Sequence, residues 1–280
     1  MYVDMHLHSC FSDGTCTPEE LAEVLRQNDV GLAALTDHNT CAGFDRFAAA
    51  CKPLGITPLR GIELDCLYDG QVIHLLGYGA QPMGRLMTIA DLSRRLLLEM
   101  SRDLIKQMHR DYPQLDLAEY DRWDYDPRQG GWKGLHYLLQ KGVTKTLPEG
   151  RHLYAQYGCD YSNYPFPSAA AVCQAVWDAD GMTVLAHPGN WFAACTATEL
   201  TAHFDALVAL GVRGIECYYP AHTPQLTAQC LAYCGAHKLL VTAGSDCHGG
   251  FCDVWDGVHY QVGAVQVTPA QVSLGRLYKP

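Results

Sequence analysis

Short apolar runs alternate with amphipathic stretches along most of the chain. Residues 2–7 read as a first strand. "CTPEELAEVLRQND" follows as a helix, with Thr17 as its N-cap, Pro18 at the first helical position and Glu20 completing a capping box. "GLAALTDH" reads as a buried strand and "FDRFAAACKPLG" as the next helix. "TPLRGIELDC" and "QVIHLLGYG" are two further strands, separated by Tyr68-Asp69-Gly70, a hairpin-like turn signal. The rhythm then changes. Residues 85–111 carry Leu86, Ile89, Leu92, Leu96 and Leu97 at helical spacing, and residues 112–165 mix Pro, Asp, Tyr, Trp and Gly around a short helical piece near "GLHYLLQKG". From Ser168 onward, helices at 168–180, 198–210 and 223–237 alternate with the strands "MTVLAH", "GIECYY" and "LLVTAGSDCH". This reading has seven strands, and their alternation with helices predicts a parallel sheet covered by helices, interrupted by a mostly helical insertion.

Composition narrows the picture. The chain has 280 residues, enough for one α/β barrel, and no apolar run long enough to span a membrane. Asp4 and His6 interrupt the first apolar run, and no basic segment precedes one, so the expected location is the cytoplasm. The 13 cysteines are scattered, an odd number without zinc-finger spacing, and read as buried thiols rather than a disulfide framework. A net charge of −10 argues against a broad nucleic-acid surface. The charge is uneven, however: residues 85–165 hold 12 of the 20 Lys and Arg against 11 acids, so a neutral, Arg-rich segment sits inside an acidic body.

The chemistry gathers at the strand ends. His6 and His8 close the first strand, His38 the second, Glu63 the third and His187 the fifth; the fourth carries His74, the sixth Glu216, and the last ends in Asp246 and His248. On a strand, residues i and i+2 share a face, so His6 and His8 can reach one ion, as can Asp246 and His248. In a (β/α) barrel the carboxyl ends of the strands converge on one mouth. The donors are nitrogen and oxygen, which suits Zn²⁺, Mn²⁺ or Fe²⁺, and they outnumber what one ion can use, so two or three divalent ions are expected. Taken singly, Asp13 in Ser-Asp-Gly is also a plausible turn residue, and Asp37 a loop or helix-cap residue.

"DMHLHSCFSDG", "ALTDHNT", "GIELD", "HLLGY", "LAHPG", "GIECYYPAHT" and "GSDCHGG" together resemble the PHP family, the polymerase and histidinol phosphatase metallo-phosphoesterases. The resemblance implies a distorted (β/α)7 TIM-like barrel from residues 1–84 and 166–280, with 85–165 as a helical insertion or substrate lid. It also implies three metal positions. The first takes His6, His8, Glu63 and Asp246; the second shares Glu63 and adds His74 and His187; the third takes Asp13, His38 and His248. Glu216 matches a family position without an assigned role. "GIECYYPAHTPQ" is most similar to the branch that acts on nucleoside 3′,5′-bisphosphates or short 5′-phosphorylated oligonucleotides.

The expected reaction is hydrolysis of a phosphate ester of a small nucleotide. Two ions about 3.5–4 Å apart can acidify a bridging water and clamp the attacking and leaving oxygens. Asp37 and His222 are the candidates for protonating the leaving group. Arg128, Lys133, Arg151 and His222 are candidate substrate contacts, with Trp132 as a base-stacking surface; the bland reading is a solvated helical face. Competing readings are a histidinol-phosphate phosphatase, an amidohydrolase-type enzyme, for which no metal-bridging lysine is found at a strand end, and a non-catalytic metal-binding protein. The expected partner is a small phosphorylated molecule, not a membrane or long nucleic acid.

Overall fold

A computed structural model describes residues 1–251, 253–255 and 257–278. Two sheets form the framework. The first is parallel, in the order β1 (Tyr2–Asp4), β2 (Val30–Leu35), β3 (Thr57–Arg60). The second runs β4 (Glu63–Tyr68), β5 (Gln71–Tyr78), β6 (Met182–Leu185), β7 (Gly214–Tyr218), β8 (Leu240–Ala243). A minor hairpin joins β9 (Val254–Trp255) to β10 (Val258–His259). The fold is mixed α/β.

Two expectations need correction. "TPLRGIELDC" is not one strand: the chain leaves β3 at Arg60 and re-enters a ladder at Glu63. Nor is the sheet wholly parallel, because β5 pairs antiparallel with both β4 and β6, while β6–β7 and β7–β8 are parallel. The reason is local. Asp69 and Gly70 both take positive φ, 51° and 77°, as a two-residue hairpin turn requires. A parallel return would need a dozen or more residues.

The sheets face a common interior. Val3, Met5, Leu32, Ala34, Leu76, Tyr78, Val184, Ala186, Leu240 and Ala243 form one buried cluster drawn from both. Their edges also meet. Leu7 bridges to Cys247 and His38 to Glu63, both in parallel, and the Met5 amide donates to the Ala243 carbonyl at 2.8 Å. The C-terminal tail closes the far side, where Ser273 bridges to Val241 and the Val3 amide donates to the Val267 carbonyl.

Helices cover the outer faces. α1 (Pro18–Gln27) carries the expected Thr17–Glu20 capping box, and it packs with α2 (Phe44–Cys51) over Val30, Ala33 and Leu35. α3 (Gly84–Met108) leads into the insertion, which contains α4 (Leu117–Arg122), α5 (Lys133–Gln140) and α6 (Arg151–Gln156). α7 (Ala169–Asp178), the short α8 (Pro188–Phe192), α9 (Ala197–Leu210) and α10 (Pro224–His237) follow. The 25-residue α3 serves two cores: Leu86, Ile89 and Ala90 pack with α7 and the second sheet, while Leu96, Met100, Leu104, Ile105 and Met108 join an insertion core with Tyr120, Leu135, Tyr137 and Phe166. The described cysteines are all free thiols. No helix among the described residues is long and apolar enough to cross a membrane.

The Tyr78 hydroxyl lies inside the shared core and donates to the Met5 carbonyl at 2.8 Å. Tyr78→Phe is expected to lower unfolding free energy by about 1–3 kcal/mol, the cost of leaving a buried acceptor unpaired, as read from urea denaturation.

Candidate metal centre

β1 ends at Asp4, so His6 and His8 project from the extended segment beyond it. Leu7 fixes their orientation: its bridge to Cys247 and its amide bond to the Thr36 hydroxyl, at 3.0 Å, hold it in register. Both imidazoles are fully buried. Glu63 opens β4 where the two sheets meet, and its amide donates to the Thr36 carbonyl. His74 lies in mid-β5, reached by the hairpin, rather than at a strand end. His187 and Asp246 follow β6 and β8 with φ of 27° and 55°. Left-handed backbone in non-glycine residues is costly and collects where function over-determines it.

These segments bring all nine predicted donors together. His6 Nε2 and His8 Nε2 lie 3.0 and 3.1 Å from Glu63 Oε2, and 3.3 and 3.1 Å from Asp246 Oδ1. Glu63 Oε1 is 2.8 Å from His74 Nδ1 and 3.1 Å from His187 Nε2. His38 Nε2 lies 3.4 Å from Glu63 Oε2, and His248 Nε2 lies 3.3 Å from Asp13 Oδ1. Three sets have metal-binding spacing: His6, His8, Glu63 and Asp246; His38, Glu63 and His74; and His8, Asp13, His38 and His248. His8 and His38 are each shared by two of these sets, and His187, expected with Glu63 and His74, belongs to none of them although its Nε2 approaches the same Glu63 oxygen as His74.

The donor chemistry fits divalent cations. His8 Nδ1 and Nε2, Asp13 Oδ1, His187 Nδ1 and Asp246 Oδ1 are buried with no hydrogen-bond partner. Buried polar atoms are normally satisfied, so several orphaned atoms within the donor sets point to a ligand there. Electrostatics agree. Burial raises the Glu63 carboxyl, but His6, His38 and His74 outweigh it and hold the group well below the usual range. Asp246 is lowered in the same way by His6 and His8 against its burial. Burial lowers His8 and His74, yet the facing carboxylates lift each to about 10. His38 is lowered, first by burial. The carboxylates thus favour positive charge in the pocket.

A second layer holds the donors. Glu216, whose role the sequence left open, accepts from His6 Nδ1 through Oε1 at 3.0 Å and from the His187 amide through Oε2 at 2.8 Å. Such a carboxylate fixes the tautomer and orientation of its histidine. Tyr219 donates to Asp246 Oδ2 at 3.0 Å, and His248 Nδ1 to the Asp246 carbonyl at 2.8 Å. Asp4 accepts from the amides of His6 and Ser245, and burial pushes its carboxyl up to about 7. Sequence reasoning missed Asp4 and Asp65. The second was signalled by the hairpin register, which sets Asp65 opposite His74.

Seven of the nine donors, all but the fully buried His6 and His8, line a cavity of about 780 Å³ whose walls come largely from residues 94–161. Lys133, Arg151 and Trp132 line it as expected, together with Arg94, which sequence reasoning missed. Three other candidates do not. Asp37 is buried under the loop, where it accepts from the Ser9 amide and hydroxyl and the Ser12 hydroxyl at 2.7–2.8 Å; it holds the Ser9–Ser12 turn and does not line the cavity. His222 is a latch, with Nδ1 donating to the Cys217 carbonyl and Nε2 accepting from the Gly189 amide. Arg128 pairs with Glu20 at 2.6 Å on the outer surface.

The PHP domain model matches residues 4–147, and the chain belongs to this family. The phosphoribosyl 1,2-cyclic phosphate 1,2-diphosphodiesterase of Eggerthella lenta is 28% identical over 90% of this chain and 95% of its own. The 3′,5′-nucleoside bisphosphate phosphatase of Chromobacterium violaceum is 28% identical over 88% of this chain and 87% of its own. A solved Bifidobacterium adolescentis protein, described as a metal-dependent phosphoesterase, superimposes with a TM-score of 0.75 at 25% identity, covering 96% of this chain and 93% of its own. This protein is a metal-dependent phosphoesterase.

Two outcomes follow for the centre. His8→Ala and Asp246→Ala should each lower bound metal, measured by elemental analysis, and cut turnover by about 100-fold or more, since a lost ligand removes transition-state charge stabilisation. Gly244 leaves room for the His6–Glu216 pair, because a Cβ there would stand 2.2 Å from His6 Cβ and 2.6 Å from Glu216 Oε1. Gly244→Ala should therefore weaken metal binding and cost about 1–3 kcal/mol in denaturation, the usual range for overpacking.

Proposed function

We propose that this protein hydrolyses a phosphate ester on a small nucleotide, with a nucleoside 3′,5′-bisphosphate as the substrate type the cavity suits best. The observation that carries this reading is the two-ended cavity. Its floor is the donor cluster, and its walls present Arg94, Lys133 and Arg151 beside Trp132. A substrate with one phosphate at the floor, a second anion at the wall and a planar base between them matches all three features. The cavity volume lies in the range of small-molecule sites, about 300–1,000 Å³.

His6, His8, Glu63 and Asp246 would hold one ion, Glu63, His74 and His187 a second, and Asp13, His38 and His248 a third. Manganese, iron and zinc all suit this donor set. Bound there, such ions neutralise phosphate charge and acidify water. The chain's own part is to fix the donors. Glu216 presents His6 with its Nε2 lone pair inward, Tyr219 steadies Asp246, and Asp37 secures the loop that carries Asp13. The shared interior and the bridges at both sheet edges support reading the sheets as one distorted (β/α)7 barrel, with its mouth at this centre.

The wall also weighs against histidinol phosphate, whose cationic body would meet the three basic groups. A short 5′-phosphorylated oligonucleotide remains compatible with the same cations. Manganese-loaded protein should release phosphate from adenosine 3′,5′-bisphosphate faster than from histidinol phosphate or an aryl phosphate. Lys133→Ala and Arg151→Ala should raise KM for the bisphosphate by about 10-fold or more, the worth of a charged hydrogen bond, and leave the aryl phosphate nearly unchanged. Turnover confined to histidinol phosphate would overturn the substrate assignment.

A further inference from the structure

Asp65 is a buried carboxylate beside the centre that belongs to none of the three donor sets. It sits two residues after Glu63 on β4, so both side chains point to one face of the sheet. Across the β4–β5 ladder its register partner is His74. The two ring nitrogens of His74 are thus divided: Nδ1 lies 2.8 Å from Glu63 Oε1, and Nε2 lies 3.2 Å from Asp65 Oδ1. The other Asp65 oxygen accepts from Asn39 Nδ2. Asn39 is itself fixed, with φ of 53° and its amide donating to the Glu63 carbonyl at 2.7 Å.

We infer that Asp65 is a positioning residue for His74, setting its tautomer for metal binding. Both ring nitrogens face carboxylates, which accept and do not donate; with Glu63 given over to an ion, Asp65 is the acceptor left to hold the imidazole proton, on Nε2. The lone pair is then on Nδ1, directed at Glu63 and the second ion position. The Asn39–Asp65–His74 chain keeps the ring in that orientation without Asp65 joining the ion. Asn39 Oδ1 is buried without a partner, so an amide flip can meet the NH₂ of an asparagine placed at 65. Asp65→Asn therefore keeps the acceptor for His74, while Asp65→Ala removes it.

This inference rests on reading the donor set as a metal centre, and its test reads metal rather than turnover. Metal-stripped protein would be titrated with Zn²⁺ by calorimetry for wild type, Asp65→Ala, Asp65→Asn and His74→Ala. Asp65→Ala should weaken one ion by about 10–100-fold, the usual effect of losing such a partner, and leave the tightest ion unchanged. Asp65→Asn should recover most of that loss, and Asp65→Ala added to His74→Ala should cost nothing more. Nitrogen-15 spectra of the zinc-loaded wild type should show His74 metallated at Nδ1 and protonated at Nε2. Metallation at Nε2, an unchanged titration for Asp65→Ala, or equal loss in Asp65→Ala and Asp65→Asn would overturn the inference. Wild type that binds no Zn²⁺ would instead refute the metal centre itself.

Discussion

One buried carboxylate organises this molecule. Glu63 is sealed from solvent, yet His6, His8 and His38 approach its Oε2 within 3.4 Å, and His74 and His187 approach Oε1 within 3.1 Å. A charge taken out of water costs several kcal/mol unless matched by opposite charge and hydrogen bonds. Protonated imidazoles facing the carboxylate supply that match, and divalent cations held between neutral imidazoles would supply it in their place. Five chain segments, from residue 6 to residue 187, must therefore arrive at one point in a fixed orientation. The meeting of two sheets at Glu63 is the feature of the fold that lets them do so.

The second layer shows how that orientation is kept. Glu216 serves two ligands at once, through the His6 ring and the His187 backbone. Asp37 and His222 carry catalytic residue types but spend their polar atoms on backbone and serine hydroxyls. Left-handed backbone at Asn39, His187 and Asp246 places part of the chain's strain next to the donors. Such strain persists where packing and hydrogen bonds over-determine a conformation, and the layer around Glu63 provides both.

Much of the donor signal is positional: the residues lie on strands or just beyond them, and the two-residue side-chain period sets His6 with His8, whereas Asp246 and His248, expected to share an ion, fall in different donor sets. Helix starts were legible for the same reason, as Thr17, Ser168 and Thr223 cap α1, α7 and α10 through their own side chains. The reversed β5 was half legible. Tyr68-Asp69-Gly70 announced a hairpin, but strand–helix alternation elsewhere suggested a uniform parallel sheet. Following that turn through its register would have placed Asp65 against His74. What one sequence could not resolve is which way a polar side chain turns once folded. Arg128 and Lys133 stand five residues apart in the same basic segment, yet one pairs with Glu20 outside and the other lines the cavity.

The segment around Gly131 adds a constraint that joins the cavity wall to the centre. The Gly131 amide donates to the Asp13 carbonyl at 2.7 Å, so the loop that carries Trp132 and Lys133 is hydrogen-bonded to the loop that carries a metal donor. Phe251 packs on Trp132, three residues after His248, which faces Asp13 from the opposite side. Gly130 and Gly131 both take positive φ, and a Cβ on either would stand within 2.7 Å of Phe251. The wall is therefore not a detached cover. Its position is set by the same two loops, around Asp13 and His248, that flank the third ion position, so a shift in either loop alters the wall cations and the floor donors together.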